Sequence, residues 1–262
     1  MNPSTAAEQW ADGLASWAIP PEILAVAPQT PFVFTPSMFA APEQGSTPQS
    51  QATDKAADAL PVNGTVLDVG CGGGAAAFPL APPASALIGT DRQADMVDLF
   101  LATGTERGVE VSGHVGVWPE VADQVPVADI AVSHNVLYNV PEVVPFAMAM
   151  QAHARRRVVI EITEFHPQTV RAPLWKHFWD LDRPSVPTAW MAVDAILDAG
   201  IPVVAERSQD NPRPRQQPQE AEAEAAFWTR MLCLPAERQS EVSDALIDIT
   251  FPSERVMIWW DC

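Results

Sequence analysis

From residue 65 onward the chain alternates short apolar runs with longer stretches in which apolar residues recur every three or four positions. The runs "TVLDV" (65–69), "ALIGTD" (86–91), "VEVSGHV" (109–115), "ADIAVS" (128–133) and "RVVIEIT" (157–163) read as strands. Between them, Gly74 to Leu80, Gln93 to Thr103 and Glu142 to His153 read as helices. That rhythm predicts βαβ units and a mainly parallel α/β sheet. The last third is less regular: a helix near Thr188 to Ala199, a strand in "GIPVVAER" and a final strand in "ERVMIWW" (254–260). Between the last two lie a polar, Pro-rich stretch, "SQDNPRPRQQPQ", which reads as an exposed loop, and a helical region over about Glu220 to Ile249.

Ahead of the sheet, Trp10, Leu14 and Trp17 fall on one face of a helix that "IPP" at 19–21 ends. A Pro-rich connector follows, carrying Phe32, Phe34 and Phe39, and then a short helix at "DKAADAL". The organisation expected is a helical and irregular segment over 1–60, a candidate lid, and one α/β domain over 61–262 with a helical insertion at about 207–250.

Composition narrows the function. With 47% apolar and 18% charged residues, the 262-residue chain can bury a sizeable core. Its 15 basic and 33 acidic residues give a net charge of −18, a field that repels phosphodiester backbones and argues against a nucleic-acid partner. The three cysteines, at 71, 233 and 262, have neither disulfide nor metal-ligand spacing, so no metal site is expected. The N-terminal stretch lacks the basic and apolar regions of a secretion signal, and no apolar run is long enough to span a bilayer. A cytoplasmic protein without a membrane partner is the expectation, and a homodimer follows only from how common homodimers are.

The densest local signal is "VLDVGCGGG" (66–74), in which Asp68, Gly70, Gly72 and Gly74 form D-x-G-x-G-x-G at a strand end. Glycine permits the tight turn and the close approach of a ligand to the main chain, and a following helix would present amides. "GCGGGA" also satisfies the dinucleotide fingerprint, and Asp91 at the end of the second strand suits any adenosine ribose. The loop alone therefore leaves two ligands open.

"VLDVGCGGG", "LIGTD" about twenty residues later and "ADIAVSHNVLYNV" together resemble the first, second and fourth motifs of class I methyltransferases that use S-adenosylmethionine. The likeness covers about residues 60–165. It implies a Rossmann-like, doubly wound, mainly parallel seven-stranded sheet with helices on both faces, a helical N-terminal extension and the helical insertion before the last strand. By the same resemblance Asp68 would organise the loop and the methionine end of the cofactor, with Gly70, Gly72 and Gly73 against it. Asp91 would take the ribose hydroxyls, Arg92 and Met96 would lie near the adenine, and Ser133 would border the cofactor. Where the family often has an acidic or amide residue after the third strand, this chain has "SGHVGVW"; a backbone group near His114 or Trp118 is the expected substitute.

Ligands of open α/β sheets bind beyond the carboxyl ends of the strands, which makes His134 the first candidate for a base, with Asn135 and Tyr138 as orienting groups. A structural histidine would fit the same position. Glu161 lies within the fifth strand, while Glu164 and His166 fall just past its end on that rim, where they could form an acid–base pair or, less favoured, a weak metal site; His166 is a second acid–base candidate. Trp175, Phe178 and Trp179 form a helical stripe better suited to core than pocket, "ARRR" (154–157) suits a helix-to-strand junction, and Cys71 reads as a packed small residue. Methyl transfer to a small-molecule acceptor at oxygen or nitrogen leads; the missing [N/D]-P-P-[Y/F] motif favours a small acceptor. A nicotinamide-dependent oxidoreductase and a non-catalytic S-adenosylmethionine-binding module stand as alternatives.

Overall fold

The computed structural model describes residues 4–32, 41, 50–209, 218–246 and 254–262. Phe34 and Phe39, most of the "SQDNPRPRQQPQ" stretch and the end of the expected helical insertion lie outside the described residues. Seven strands form one sheet in the order β3-β2-β1-β4-β5-β7-β6: β1 Thr65–Val69, β2 Ala86–Asp91, β3 Glu110–Val115, β4 Ala128–His134, β5 Ala154–Thr163, β6 Val204–Gln209 and β7 Glu254–Asp261. The first five run parallel, and β7 enters antiparallel between β5 and β6. A dinucleotide-binding sheet of the 3-2-1-4-5-6 order has no such strand.

Apolar residues on both faces explain why the central strands read as continuous runs. On one face Leu67, Ala131, Val158, Ile160 and Ile258 pack under α1 (Ala6–Ala15), α5 (Val143–Ala152) and α7 (Ala189–Asp198). On the other, Val66, Ile130, Val132, Val159 and Met257 pack with α3 (Gln51–Ala59) and with Phe100 of α4 (Ala94–Arg107). A third cluster joins α2 (Pro21–Ala25), α6 (Ala172–Trp179), α8 (Pro218–Met231) and α9 (Gln239–Leu246). Trp175 is fully buried there, and Trp179 Nε1 donates to the Leu232 carbonyl at 2.7 Å, so the aromatic stripe builds core.

The N-terminal helix starts with a capping box between Thr5 and Glu8 and ends before Trp17. Trp10 is fully buried, and its Nε1 donates to the Val140 carbonyl at 2.8 Å. That helix closes at Ala15, so Trp17 lies past its end and "IPP" begins four residues later; Pro21 opens the next helix, where a missing amide costs nothing. "ARRR" forms the first four residues of β5, just after α5 ends at Ala152, at the expected helix-to-strand junction.

One expected helix is absent. Residues 74–80 form turns and a 3-10 turn, Phe78–Leu80. Gly74 has φ +88°, outside helical geometry, and Pro79, Pro82 and Pro83 each lack an amide to continue a ladder. The glycine loop is thus not followed by a helix N-terminus.

Candidate functional site

Side chains alternate across a strand, so register assigns each residue at the carboxyl edge to a face. Asp68 is two residues from Val66, Asp91 four from Leu87, His134 two from Val132 and Glu161 two from Val159; all four apolar partners belong to the same layer. Arg255 is two residues from Met257 of that layer. Asp91, Asp68, His134, Glu161 and Arg255 therefore form a polar row across β2, β1, β4, β5 and β7, five neighbouring strands.

At the β1 end, Gly70, Gly72 and Gly74 all take positive φ, at +73°, +49° and +88°. A Cβ at Gly70 would stand 2.5 Å from Val136 Cγ2, so the loop needs glycine there for space as well as for dihedral angle. The Gly70 and Cys71 amides donate to the Thr90 carbonyl at 2.8 and 2.9 Å, and the Gly72 amide donates to Asp91 Oδ2 at 3.1 Å. Asp91 Oδ1 accepts from the Gln93 amide at 3.0 Å.

Asp68 is buried, with Oδ2 lacking any hydrogen-bond partner. Burial pushes its carboxyl up to about 7, against the pull of the Ala77 amide, which donates to it; the nearby Asp91 charge pushes the same way as burial. The missing helix is relevant here, since Ala77 sits in the turn that replaces it. Cys71 is buried beside both aspartates, which raises its thiol far above reactivity; it is a packed residue.

These features fit S-adenosylmethionine. A buried carboxylate oxygen without a partner suits a cationic amino group, and each Asp91 oxygen keeps a second lone pair for a ribose hydroxyl. The remaining expected contacts divide. Met96 is buried in the first turns of α4 and Arg92 is exposed beside Asp91. Gly73 is buried in the loop. His114 is level with Thr90 and so lies on the face opposite Asp91, whereas exposed Val115 is level with Asp91, and the Gly116 amide donates to the Asp91 carbonyl at 2.9 Å. Trp118 is buried, with Nε1 donating to the Phe146 carbonyl at 3.2 Å. Ser133 is buried too, and its hydroxyl donates to the Val69 carbonyl at 2.8 Å, tying β4 to β1.

With the parallel core, the antiparallel seventh strand and this loop in view, the comparisons decide between the two ligands. Residues 67–158 match a methyltransferase domain: the protein-family model that covers them is described as "Methyltransferase domain". S-adenosylmethionine is the cofactor of such domains. The fold is shared with the YcgJ protein of Bacillus subtilis, at 18% identity and a TM-score of 0.53, covering 80% of this chain and 97% of that one. A methyltransferase described as putative from Bacillus halodurans matches at 15% identity and 0.53, covering 80% and 96%. No curated protein sequence matches the chain.

Around this methyltransferase loop the three catalytic candidates separate into two places. His134 Nδ1 lies 4.0 Å from Glu161 Oε1, and its Nε2 is buried without a hydrogen-bond partner. Burial, then the Arg255 charge, lower its imidazole to about 4, so the ring is neutral at physiological pH. Asn135 follows with φ +61° and accepts from Arg255 Nη1 at 2.9 Å.

Tyr138 and His166 meet each other instead, with ring centroids 5.1 Å apart. The Tyr138 hydroxyl is 2.9 Å from both the Thr163 and Glu164 carbonyls. His166 stacks on Trp17 at 4.1 Å, and its Nδ1 accepts from the Gln168 amide at 3.2 Å. Burial, then the Arg183 charge, bring His166 to about 4. Glu164 is fixed by Arg207, with oxygens 2.6 and 2.9 Å from its guanidinium, and by Trp190 Nε1 at 2.9 Å.

Sequence reasoning passed over Arg255 altogether, and no short motif marks it. Its signal was positional: a basic residue at the start of a predicted last strand that otherwise reads apolar. Among the described residues no group of three or more His, Cys, Asp or Glu is placed to hold a metal ion, and no helix is long and apolar enough to cross a membrane.

Proposed function

We propose that this methyltransferase transfers a methyl group to a small-molecule acceptor, at a hydroxyl oxygen or an amine nitrogen, with His134 receiving the displaced proton. The observation that carries the reading is the polar row itself. Its β2 and β1 members, Asp91 and Asp68, suit the cofactor, and its β4 member is a neutral imidazole with an unpartnered nitrogen on the same face.

When bound, S-adenosylmethionine would supply an electrophilic methyl group, with its sulfur as the leaving group. Asp68 would hold the ammonium end and Asp91 the ribose hydroxyls, with Val115 to Val117 and Met96 flanking the adenine. Gly70, Gly72 and Gly73 keep side chains out of the path of the cofactor. His134 takes the acceptor's proton at Nε2, and the Glu161 carboxylate beside Nδ1 stabilises the imidazolium that results. Tyr138 and His166 support this edge from outside the reaction, fastening the Trp17 region to the loop after β5. The chain acts without nucleic acid, consistent with its net charge of −18.

The test is isothermal titration with S-adenosylhomocysteine, NADH and NADPH as separate ligands, followed by an acceptor screen for methyl transfer. Binding of S-adenosylhomocysteine alone, with turnover on a phenol, alcohol or amine that His134→Ala abolishes, is the expected result. Turnover unchanged in His134→Ala with cofactor bound would remove His134 as the base.

A further inference from the structure

The β7 strand brings to this edge a charge that lies outside the methyltransferase-domain match at 67–158. Arg255 pairs with Thr163 in the β5–β7 register, one side-chain layer beyond Glu161, and its side chain is only 13% exposed. Its Nη1 reaches Glu161 Oε1 at 3.3 Å and Asn135 Oδ1 at 2.9 Å. That same Oε1 is the atom 4.0 Å from His134 Nδ1. The Glu161 side chain is 6% exposed, where a carboxylate without a counter-charge would be costly. The Asn135 amide donates to the Glu161 carbonyl at 2.8 Å, which fixes the backbone between imidazole and carboxylate as well.

We propose that Glu161 and Arg255 are positioning residues for His134: the carboxylate selects the tautomer protonated on Nδ1, and the guanidinium holds that carboxylate in place. The inference rests on the reading of His134 as the base. Its physical content is a choice of nitrogen. A carboxylate beside Nδ1 favours the proton there, which leaves the lone pair on Nε2, the buried ring nitrogen without a partner. Arg255 has a second effect, because a cation near the ring opposes its protonation and Glu161 favours it. Charged groups on this part of the edge include Glu161 of β5 and Arg255 of β7, with Asp68 of β1 one layer below.

The two charges make opposite predictions for their removal. Arg255→Met leaves Glu161 without this counter-ion beside the ring, so the pKa of His134 should rise by about one unit or more. Arg255→Lys restores the charge and should return it most of the way. Glu161→Gln removes the anion, so the pKa should not rise, the preference for Nδ1–H should be lost, and kcat should fall about tenfold or more with little change in KM for the acceptor.

The experiment is nitrogen and carbon NMR of the full chain labelled at its five histidines, titrated with S-adenosylhomocysteine present, with His134 assigned by difference against His134→Gln. Neutral His134 protonated on Nδ1, with the rise in Arg255→Met and its reversal in Arg255→Lys, supports the proposal. A ring protonated on Nε2, or a His134 pKa that Arg255→Met leaves unmoved, overturns it. Because this readout needs no turnover, it decides the role of the pair separately from the activity of His134→Ala, which decides whether His134 is the base.

Discussion

The Gly72 amide donates to Asp91 Oδ2, so the carboxylate that suits the ribose also helps tie the glycine loop to β2, beside the Thr90 carbonyl that accepts from Gly70 and Cys71.

Asp91→Ala should weaken S-adenosylhomocysteine binding about tenfold to a hundredfold, the scale of losing hydrogen bonds to a charged group. Asp91→Asn keeps one acceptor oxygen and should fall between. Calorimetric titration of the three proteins checks this, and wild-type affinity in Asp91→Ala would remove Asp91 from the cofactor contacts.

Asp68 predicts a pH dependence with a definite sign. Its folded pKa, about 7, lies above the ordinary carboxylate value of 3.8, so the native state binds more protons between those values. Its contribution is fully present below about pH 4 and is lost as pH rises towards 7. Asp68→Asn removes this ionisation, and melting temperatures measured from pH 5 to 8 should decline less steeply than in the wild type. A cation bound beside Asp68 favours the ionised form, so S-adenosylhomocysteine should bind more tightly as pH rises through that range and should release protons. Titration in buffers of different ionisation enthalpy reads the proton count.

The parallel half of the sheet was legible because strands buried on both faces write continuous apolar runs, as "TVLDV" and "ALIGTD" do; both strands have the bounds their pattern predicts. The turn at 74–80 was misread because its alanines suggest a helix, while φ at Gly74 and the three prolines decide against one. In the site, Asp68 and Asp91 could be picked out because a motif of fixed spacing carries them. The proximity of Arg255 to Glu161 could not, since 94 residues separate them and only the antiparallel register of β7 brings them together. His114 and Val115 show the finest limit, where a shift of one residue exchanges sheet faces.

Gly70→Ala should destabilise the fold by about 1–3 kcal/mol, since φ is +73° and the new Cβ would meet Val136 at 2.5 Å. Gly108→Ala, with a similar φ of +65° but nothing within 4 Å, should cost only about 1 kcal/mol. Denaturant melts of the pair separate crowding from backbone strain. Only the first variant should also lose S-adenosylhomocysteine affinity.

His166→Phe keeps an aromatic ring against Trp17 and Tyr138, so it should retain turnover within about threefold and lose about 1 kcal/mol of stability with the Gln168 contact. Trp10→Ala should cost about 3–5 kcal/mol, as removal of a fully buried indole requires. Turnover and thermal melts of both variants check the assignment; a His166→Phe protein that folds normally but is inactive would return His166 to the chemistry.

The placement of β7 between β5 and β6 also bears on the order in which the molecule can be made. A ribosome delivers β5 and β6 long before residues 254–261, so until those residues emerge both strands lack the neighbour that joins them. The same late strand delivers Arg255. A nascent chain can therefore complete its glycine loop early, while the partner charge for Glu161 arrives only when residues 254–261 emerge.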